Sequence, residues 1–385
     1  MGEAMPQDEP RELPEGLTEP FKVVVNSAMR NWKEAGGKIV GYFCSYVPAE
    51  LLTAAGLLPF RMRAPGSSET TLGDVFFSSY NCTFSRHCLD FAFRGEYGFL
   101  DGLISMNNCD HLRRVHDVWK RKIATPFLHF LAVPHKSGQA QVDWYREELA
   151  ILRGNLERHF AMKVSDDDLW GAIRRHNQAR GLQRQLYELR KKERPPITGS
   201  QVLATVVAGT ALPVDDFNQL LGKLIEGIGP LEGDSAPRAR LMVVGGILDD
   251  PAYLKVMEDL GGLVVADSLC FGSRIIWSTV DEAGSDPLEA LARYYLVDRP
   301  QCPRMAEDYE ARLGFIRSMV EEFRVDGVVC ERLQFCELWG GEDFRLAPDL
   351  KEAGIPLLLL DREYRLTGVG QLRTRVQAFL ETLGR

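Results

Sequence analysis

Lys38-Ile39-Val40-Gly41-Tyr42-Phe43-Cys44, followed by Pro48-Ala49-Glu50-Leu51-Leu52-Thr53-Ala54-Ala55-Gly56 and then Leu57-Leu58-Pro59-Phe60-Arg61-Met62, decides the fold. The first run is short and apolar, the pattern of a buried strand. Pro48 suits a first helical turn, Glu50 complements the helix dipole there, and Gly56 suits the exit. The third run returns to strand, so the stretch reads as one β-α-β unit.

The same grammar recurs late in the chain. Residues 241–247 form a strand pattern, Pro251-Ala252-Tyr253-Leu254 opens a helix, Gly261-Gly262 ends it, and 263–266 is strand again. A second pair matches. Asp101-Gly102-Leu103-Ile104 leads to Cys109, a helix, Thr125-Pro126 and apolar 127–133; Asp326-Gly327-Val328-Val329 leads to Cys330 and Cys336, a helix, Ile355-Pro356 and apolar 357–360. Two similar α/β halves are expected, at 21–140 and 238–385, the first opening with an amphipathic helix over 22–35. Between them, 141–237 carries helical periodicity over 142–160, 166–192 and 200–211, with Ser165-Asp166-Asp167-Asp168 as a start signal and 232–237 as a linker. Residues 1–20 read as a polar arm.

With 385 residues and a net charge of −8, the chain lacks the basic balance of a general nucleic-acid binder, although a local pocket for a phosphorylated ligand stays open. Its 45% hydrophobic and 26% charged residues are ordinary for a globular protein. The first 20 residues are acidic and proline-rich, unlike a secretory leader. The longest apolar stretch, 202–214, is well short of the roughly 20 residues a membrane span needs. A cytoplasmic protein is expected.

Of eight cysteines, most suit small buried core positions, and without an export signal a disulfide framework is the weaker reading. The Cys82/Cys88 and Cys330/Cys336 spacings are wider than a usual zinc knuckle. Cys82 in Tyr80-Asn81-Cys82, Cys109 in Asn107-Asn108-Cys109-Asp110, and Cys336 in Gln334-Phe335-Cys336 each follow an apolar stretch and lie beside a helical pattern. Open α/β folds gather such groups at the carboxyl ends of their strands. Three thiolates there can hold an iron–sulfur cluster with one iron open for chemistry. Cys109 ends a strand, and Asp110 can cap the helix 111–120, whose amino terminus would lower the thiol pKa. Cys336 follows a strand over 325–330 and precedes a helix expected near 343–353. Pseudo-symmetry would bring Cys109 and Cys336 face to face. Local reasoning does not place Cys82 with them, nor exclude Cys88 or Cys330.

Gly41-Tyr42-Phe43-Cys44-Ser45-Tyr46-Val47-Pro48-Ala49-Glu50, Tyr80-Asn81-Cys82, Asn108-Cys109-Asp110, Phe335-Cys336 and Gly370-Gln371-Leu372-Arg373-Thr374-Arg375, in this order and spacing, resemble the 2-hydroxyacyl-CoA dehydratase and benzoyl-CoA reductase family. The resemblance runs from about residue 20 to the end. It implies two Rossmann-like parallel-sheet domains related by pseudo-duplication, with a helical domain between them, and a [4Fe-4S] cluster on Cys82, Cys109 and Cys336. It also implies a radical enzyme of anaerobic metabolism that works with a paralogous subunit or a second copy of itself. A separate ATP-hydrolysing iron–sulfur activator would inject one electron, which reaches the thioester of an acyl-CoA. Dehydratases then expel a hydroxyl from a ketyl radical, whereas the reductase branch reduces an aromatic ring.

Ser45 and Glu50, in the turn after the first strand, are candidate catalytic residues facing the cleft; capping and dipole compensation are their structural alternatives. Arg86, Arg113 and Arg114 can bind CoA phosphates or pair with acidic neighbours. His87, His111 and His116 can transfer protons or merely line helical faces. Some superfamily members hold a double-cubane cluster using a cysteine in the glycine turn that here reads Gly245-Gly246-Ile247-Leu248-Asp249-Asp250. Its absence counts against that cluster, while Cys44, Cys270 and Cys302 keep it open. No Gly-x-x-x-x-Gly-Lys-Ser/Thr loop and no Gly-x-Gly-x-x-Gly turn is present, so ATP hydrolysis falls to a partner. The rival functions are an electron-transfer or scaffold subunit without its own substrate site, and a ligand-binding α/β protein with buried thiols.

Overall fold

The computed structural model describes residues 12–233 and 237–384. Most of the expected amino-terminal arm, and residues 234–236 of the expected linker, lie outside them. Strands β1 (Lys38–Tyr42), β2 (Leu57–Arg61), β3 (Gly102–Met106) and β4 (Phe127–Leu131) form one sheet in the order β2-β1-β3-β4. Strands β5 (Ala239–Gly245), β6 (Gly262–Ser268), β7 (Gly327–Leu333) and β8 (Leu357–Arg362) form a second, in the order β6-β5-β7-β8. Every pairing is parallel. The two halves therefore repeat one topology, as the sequence periodicity indicates.

Parallel strands are covered on both faces and read as continuous apolar runs. Accordingly Ile39 to Tyr42 and Gly327 to Glu331 are buried at nearly every position. Helix Gln139–Phe160 lays Leu149, Leu152 and Leu156 against Val40, Ile104 and Leu131 of the first sheet. Helices Asp166–Glu188, Gly199–Ala208 and Val214–Ile228 lay Leu186, Val206, Phe217 and Leu221 against Met242, Val244 and Val328 of the second. Ser165 and Asp168 close a capping box at the start of helix Asp166–Glu188, as the sequence signals. The helical segment thus bridges both sheets. Among the described residues no helix is long and apolar enough to cross a membrane.

Several elements differ from expectation. The amphipathic helix expected over 22–35 is two helices, Glu15–Lys22 and Ser27–Glu34, so part of the expected polar arm is helical. Val23 is extended, and the Asn26 side chain accepts from the Met29 amide to restart the helix. Helix Thr83–Phe93, directly after Cys82, gives bounds to the helical pattern noted beside that cysteine. The helix behind Cys336 starts at Glu337, six residues earlier than expected, despite Gly340, Gly341 and Pro348 inside it. Strand β7 runs past Cys330 to Leu333, so Cys330 is a strand-interior residue whose thiol meets Asp343 at 3.2 Å.

The halves are fastened across their carboxyl ends. Arg304, buried, donates to the carbonyls of Pro134 at 2.8 Å and Val133 at 2.9 Å. The Tyr364 hydroxyl accepts from the Ala64 amide at 2.9 Å and donates to Asp249 at 2.7 Å. Gly245, where β5 ends, has no room for a side chain: a Cβ would lie 2.5 Å from the Glu331 carbonyl oxygen. Because that obstacle is backbone, Gly245→Ala should destabilise the fold by about 1–3 kcal/mol, read as a lower urea midpoint at unchanged slope.

Candidate active site

In an order such as β2-β1-β3-β4 the chain reverses direction between β1 and β3, and ligands bind in the crevice at that switch point. Cys109 follows β3 and Cys336 follows β7, the matching strand of the other half. Each of the three candidate cysteines occupies the N-cap of a helix: Cys82 before Thr83–Phe93, Cys109 before Asp110–Lys122, Cys336 before Glu337–Glu352. Their turns are tied together. The Phe335 carbonyl lies 3.0 Å from His111 Nε2, and Asn81 Nδ2 lies 2.9 Å from His111 Nδ1. A carbonyl only accepts, so Nε2 carries the proton and Nδ1 accepts from the Asn81 amide. The Asp110 amide donates to Glu337 at 2.8 Å, and the rings of Tyr80 and Phe335 meet edge-on at 5.5 Å. Phe335 has φ of 64°, a left-handed conformation costly for an aromatic residue, and His111 anchors its carbonyl.

The three thiols share one electrostatic neighbourhood. Burial pushes Cys109 well up, and the Cys82 and Cys336 sulfurs push it further. Burial takes Cys336 to about 12, with Cys82 and Cys302 adding to it. Burial also raises Cys82. The first-turn amides oppose this, at Phe84 and Ser85, at Leu112, and at Leu338 and Trp339. The helix amino terminus therefore acts in the expected direction at Cys109, but desolvation outweighs it and the bare thiol is raised, not lowered. None of the eight cysteines is disulfide-bonded.

Among the described residues no group of three His, Cys, Asp or Glu side chains closes on a single metal-ion position. A multi-iron cluster holds its thiolates farther apart than one ion does. Cys109 feels the charge of both other sulfurs, Cys336 feels that of Cys82, and all three face helix amides. Such a set fits a cluster, because metal binding removes the thiol proton that burial retains.

Other candidates fall elsewhere. Ser45 lines a small cavity between the halves, and its carbonyl accepts from Arg299 at 2.7 Å. Glu50 is fully buried, its carboxylate held by Arg180 and by the Tyr295 hydroxyl at 2.8 Å. Burial would raise Glu50, yet Arg180 outweighs that and holds it at about 2. Arg86 forks onto Asp74 with two 2.6 Å bonds. Arg113 and Arg114 are exposed beside Asp110 and Asp117, and Arg114 borders an open hollow with Asn81 and Arg121. His87 is buried against Ser67 at 2.7 Å, and His116 packs on the Phe130 ring. Of the three histidines, only His111 reaches the cysteine turns by hydrogen bond. Cys88 lies in the apolar core. Burial, with Cys270 and more weakly Cys44 adding to it, raises Cys302 to about 11.

The 2-hydroxyglutaryl-CoA dehydratase D-component model matches residues 44–383, a span that takes in all three cysteine turns. The chain belongs to that family. It is 28% identical to a benzoyl-CoA reductase subunit from Thauera aromatica, over 81% of this chain and 82% of that protein. It is 26% identical to the beta subunit of (R)-2-hydroxyglutaryl-CoA dehydratase from Acidaminococcus fermentans, over 95% and 99% respectively. With the (R)-phenyllactyl-CoA dehydratase beta subunit of Clostridium sporogenes it shares 24% identity over 94% and 97%. The family resemblance in the sequence is thereby established across both halves of this dehydratase-family chain.

Glu50 and Arg180 yield a test of the site's framework. A carboxylate whose folded pKa lies below its ordinary 4.5 contributes stability that is complete above that value and drains away as pH falls toward about 2. Glu50→Gln should remove this part of the acid-induced loss and, at pH 7, cost about 3–5 kcal/mol by leaving Arg180 buried without its counter-charge. Urea titrations of both proteins across that pH range read both effects.

Proposed function

We propose that the chain is the [4Fe-4S]-bearing subunit of an ATP-activated acyl-CoA enzyme of the 2-hydroxyacyl-CoA dehydratase or benzoyl-CoA reductase type. The observation that carries this reading is the convergence of Cys82, Cys109 and Cys336, each an N-cap, in turns joined through His111 and Glu337. Those three residues would hold the cluster, and the chemistry supplied there is one-electron reduction of an acyl-CoA thioester at a site with one iron left open. The chain's own contribution is placement and exclusion of water. His111 fixes the Cys82 and Cys336 turns against the Cys109 helix, and the burial of Cys82 keeps solvent from one side of the site. Excluding water protects radical species from side reactions.

The relatives named above are each called subunits, which supports a paired chain for this one. The sequence carries no nucleotide-binding loop of the Gly-x-x-x-x-Gly-Lys-Ser/Thr kind, which supports a separate ATP-hydrolysing activator. The exposed Tyr80 and Phe335 rings cover the cysteine turns from outside and offer such a partner an apolar approach. A cytoplasmic setting accords with eight unpaired thiols.

Iron and acid-labile sulfide per chain after anoxic purification decide the matter. About four irons are expected, lost in Cys82→Ala, Cys109→Ala and Cys336→Ala and kept in Cys88→Ala. About eight would instead assign a larger cluster drawing on Cys44, Cys270 and Cys302, and none would overturn the redox reading. His111→Ala should release iron to a chelator several-fold faster than the parent protein, whereas His116→Ala should not.

A further inference from the structure

Arg304 belongs to the second half, just before helix Tyr309–Glu322, yet its side chain is built into the turn that carries Cys109. Nη2 donates to the Asn107 carbonyl at 3.3 Å and to the Val133 carbonyl at 2.9 Å, and Nη1 donates to the Pro134 carbonyl at 2.8 Å. Asn107 is itself tied to Val133, donating from Nδ2 to the carbonyl at 3.0 Å and accepting from the amide at 2.8 Å. Chain geometry keeps the Asn107 carbonyl within about 7 Å of the Cys109 Cα, so the guanidinium stands within about 10 Å of it.

That setting holds the charge without cancelling it. Arg304 is 3% exposed. Among the described residues its guanidinium meets carbonyls, the Met305 sulfur at 3.5 Å and the Tyr46 ring at 4.8 Å, and pairs with no carboxylate. Its Nε is buried without a hydrogen-bond partner. His135, whose Nδ1 lies 3.2 Å from the Arg304 carbonyl, is held below its ordinary 6.5 by burial and by Arg304 and is neutral at pH 7. Fastening carbonyls of the other half needs N–H donors only, and a neutral amide supplies them without the cost of an unpaired buried charge. The charge therefore calls for an anion that arrives with what the cysteines hold. A cluster on thiolates is such an anion, and its negative charge grows by one unit when it takes up an electron. A fixed cation at this range favours the more negative state, and a desolvated setting screens it little.

We propose that Arg304 is a positioning residue of the cysteine site whose buried charge raises the reduction potential of the cluster. The inference rests on the [4Fe-4S] reading above. Reduction is a one-electron step in which the titrant loses the electron that the cluster gains, and Arg304 gives up no proton. The test is an anoxic, mediated potential titration of the full chain, followed by the electron paramagnetic resonance signal of the reduced cluster. Parent protein, Arg304→Gln and Arg304→Lys are compared, each with its iron content. At the parent's midpoint Arg304→Gln should hold at least ten times more oxidised than reduced cluster, a downward shift of about 59 mV for one electron. Arg304→Lys, which keeps the charge, should stay within threefold of the parent. So should Lys136→Gln, which removes an exposed cation paired with Glu307. An Arg304→Gln midpoint within threefold of the parent's, at equal iron content, overturns the inference and leaves the cluster reading intact. A parent protein without iron overturns the cluster reading, and this inference with it. If Arg304→Gln does not fold or load iron, the lysine variant decides. Its midpoint staying within threefold of the parent's supports the role of the charge, whereas a tenfold shift at equal iron content reduces Arg304 to a clasp and overturns the inference.

Discussion

Helix amino termini whose first turns are bonded to one another are the constraint on which this structure depends. Each parallel sheet reverses its winding between its first and third strands, and the halves meet by their carboxyl ends. The starts of helices Asp110–Lys122 and Glu337–Glu352 are bonded to one another there, and the turn before helix Thr83–Phe93 joins them through Asn81. A helix start leaves up to four amides without partners inside the helix, and in a desolvated cleft those donors require acceptors. A side-chain cap hydrogen bond is absent at all three positions, where a cysteine stands in place of the usual serine, threonine or aspartate. Such a design is poor for an isolated helix and apt for a bound anionic group.

Two opposing effects act on those sulfurs, and their order matters. The amides favour thiolate, but burial favours thiol and dominates at each one. Thiols held in this way therefore resist becoming free nucleophiles. Coordination reverses the balance, since a metal takes the place of the proton and the same amides then support the sulfur's charge. The desolvation that raises the thiols in isolation thus suits them to ligation and works against nucleophilic catalysis.

Much of this was legible in the chain. The β-α-β unit at 38–62 and its repetition fixed the fold class, because buried parallel strands write themselves as apolar runs between glycine and proline signals. Cys109 was readable because a strand ends and an aspartate opens a helix within a few residues. Cys82 is less so: nothing in Thr83-Phe84-Ser85-Arg86 follows the familiar capping pattern, so the helical pattern beside it carries no bounds and local reasoning does not place it with the other two. Gly340, Gly341 and Pro348 concealed the true start of the helix behind Cys336 for a similar reason: each argues locally against a helix that tertiary packing sustains through Trp339, Leu346 and Leu350. His111 was read as one helical histidine among three. Its partner Phe335 lies 224 positions away, and no local pattern encodes such a contact.

The two treatments of buried arginine show how structure separates a paired charge from an unpaired one. Arg180 meets Glu50 across 130 residues of chain, and the Tyr295 hydroxyl donates to the second carboxylate oxygen, so the pair's charges cancel inside the fold. Glu50, read from sequence as a candidate for catalysis, is occupied by its partners. Arg61 and Arg299 are as deeply buried, yet their contacts are carbonyls and ring faces, which orient a guanidinium without cancelling its charge. A fold selected only for stability would neutralise or replace them, since a buried ion without its counterpart opposes folding.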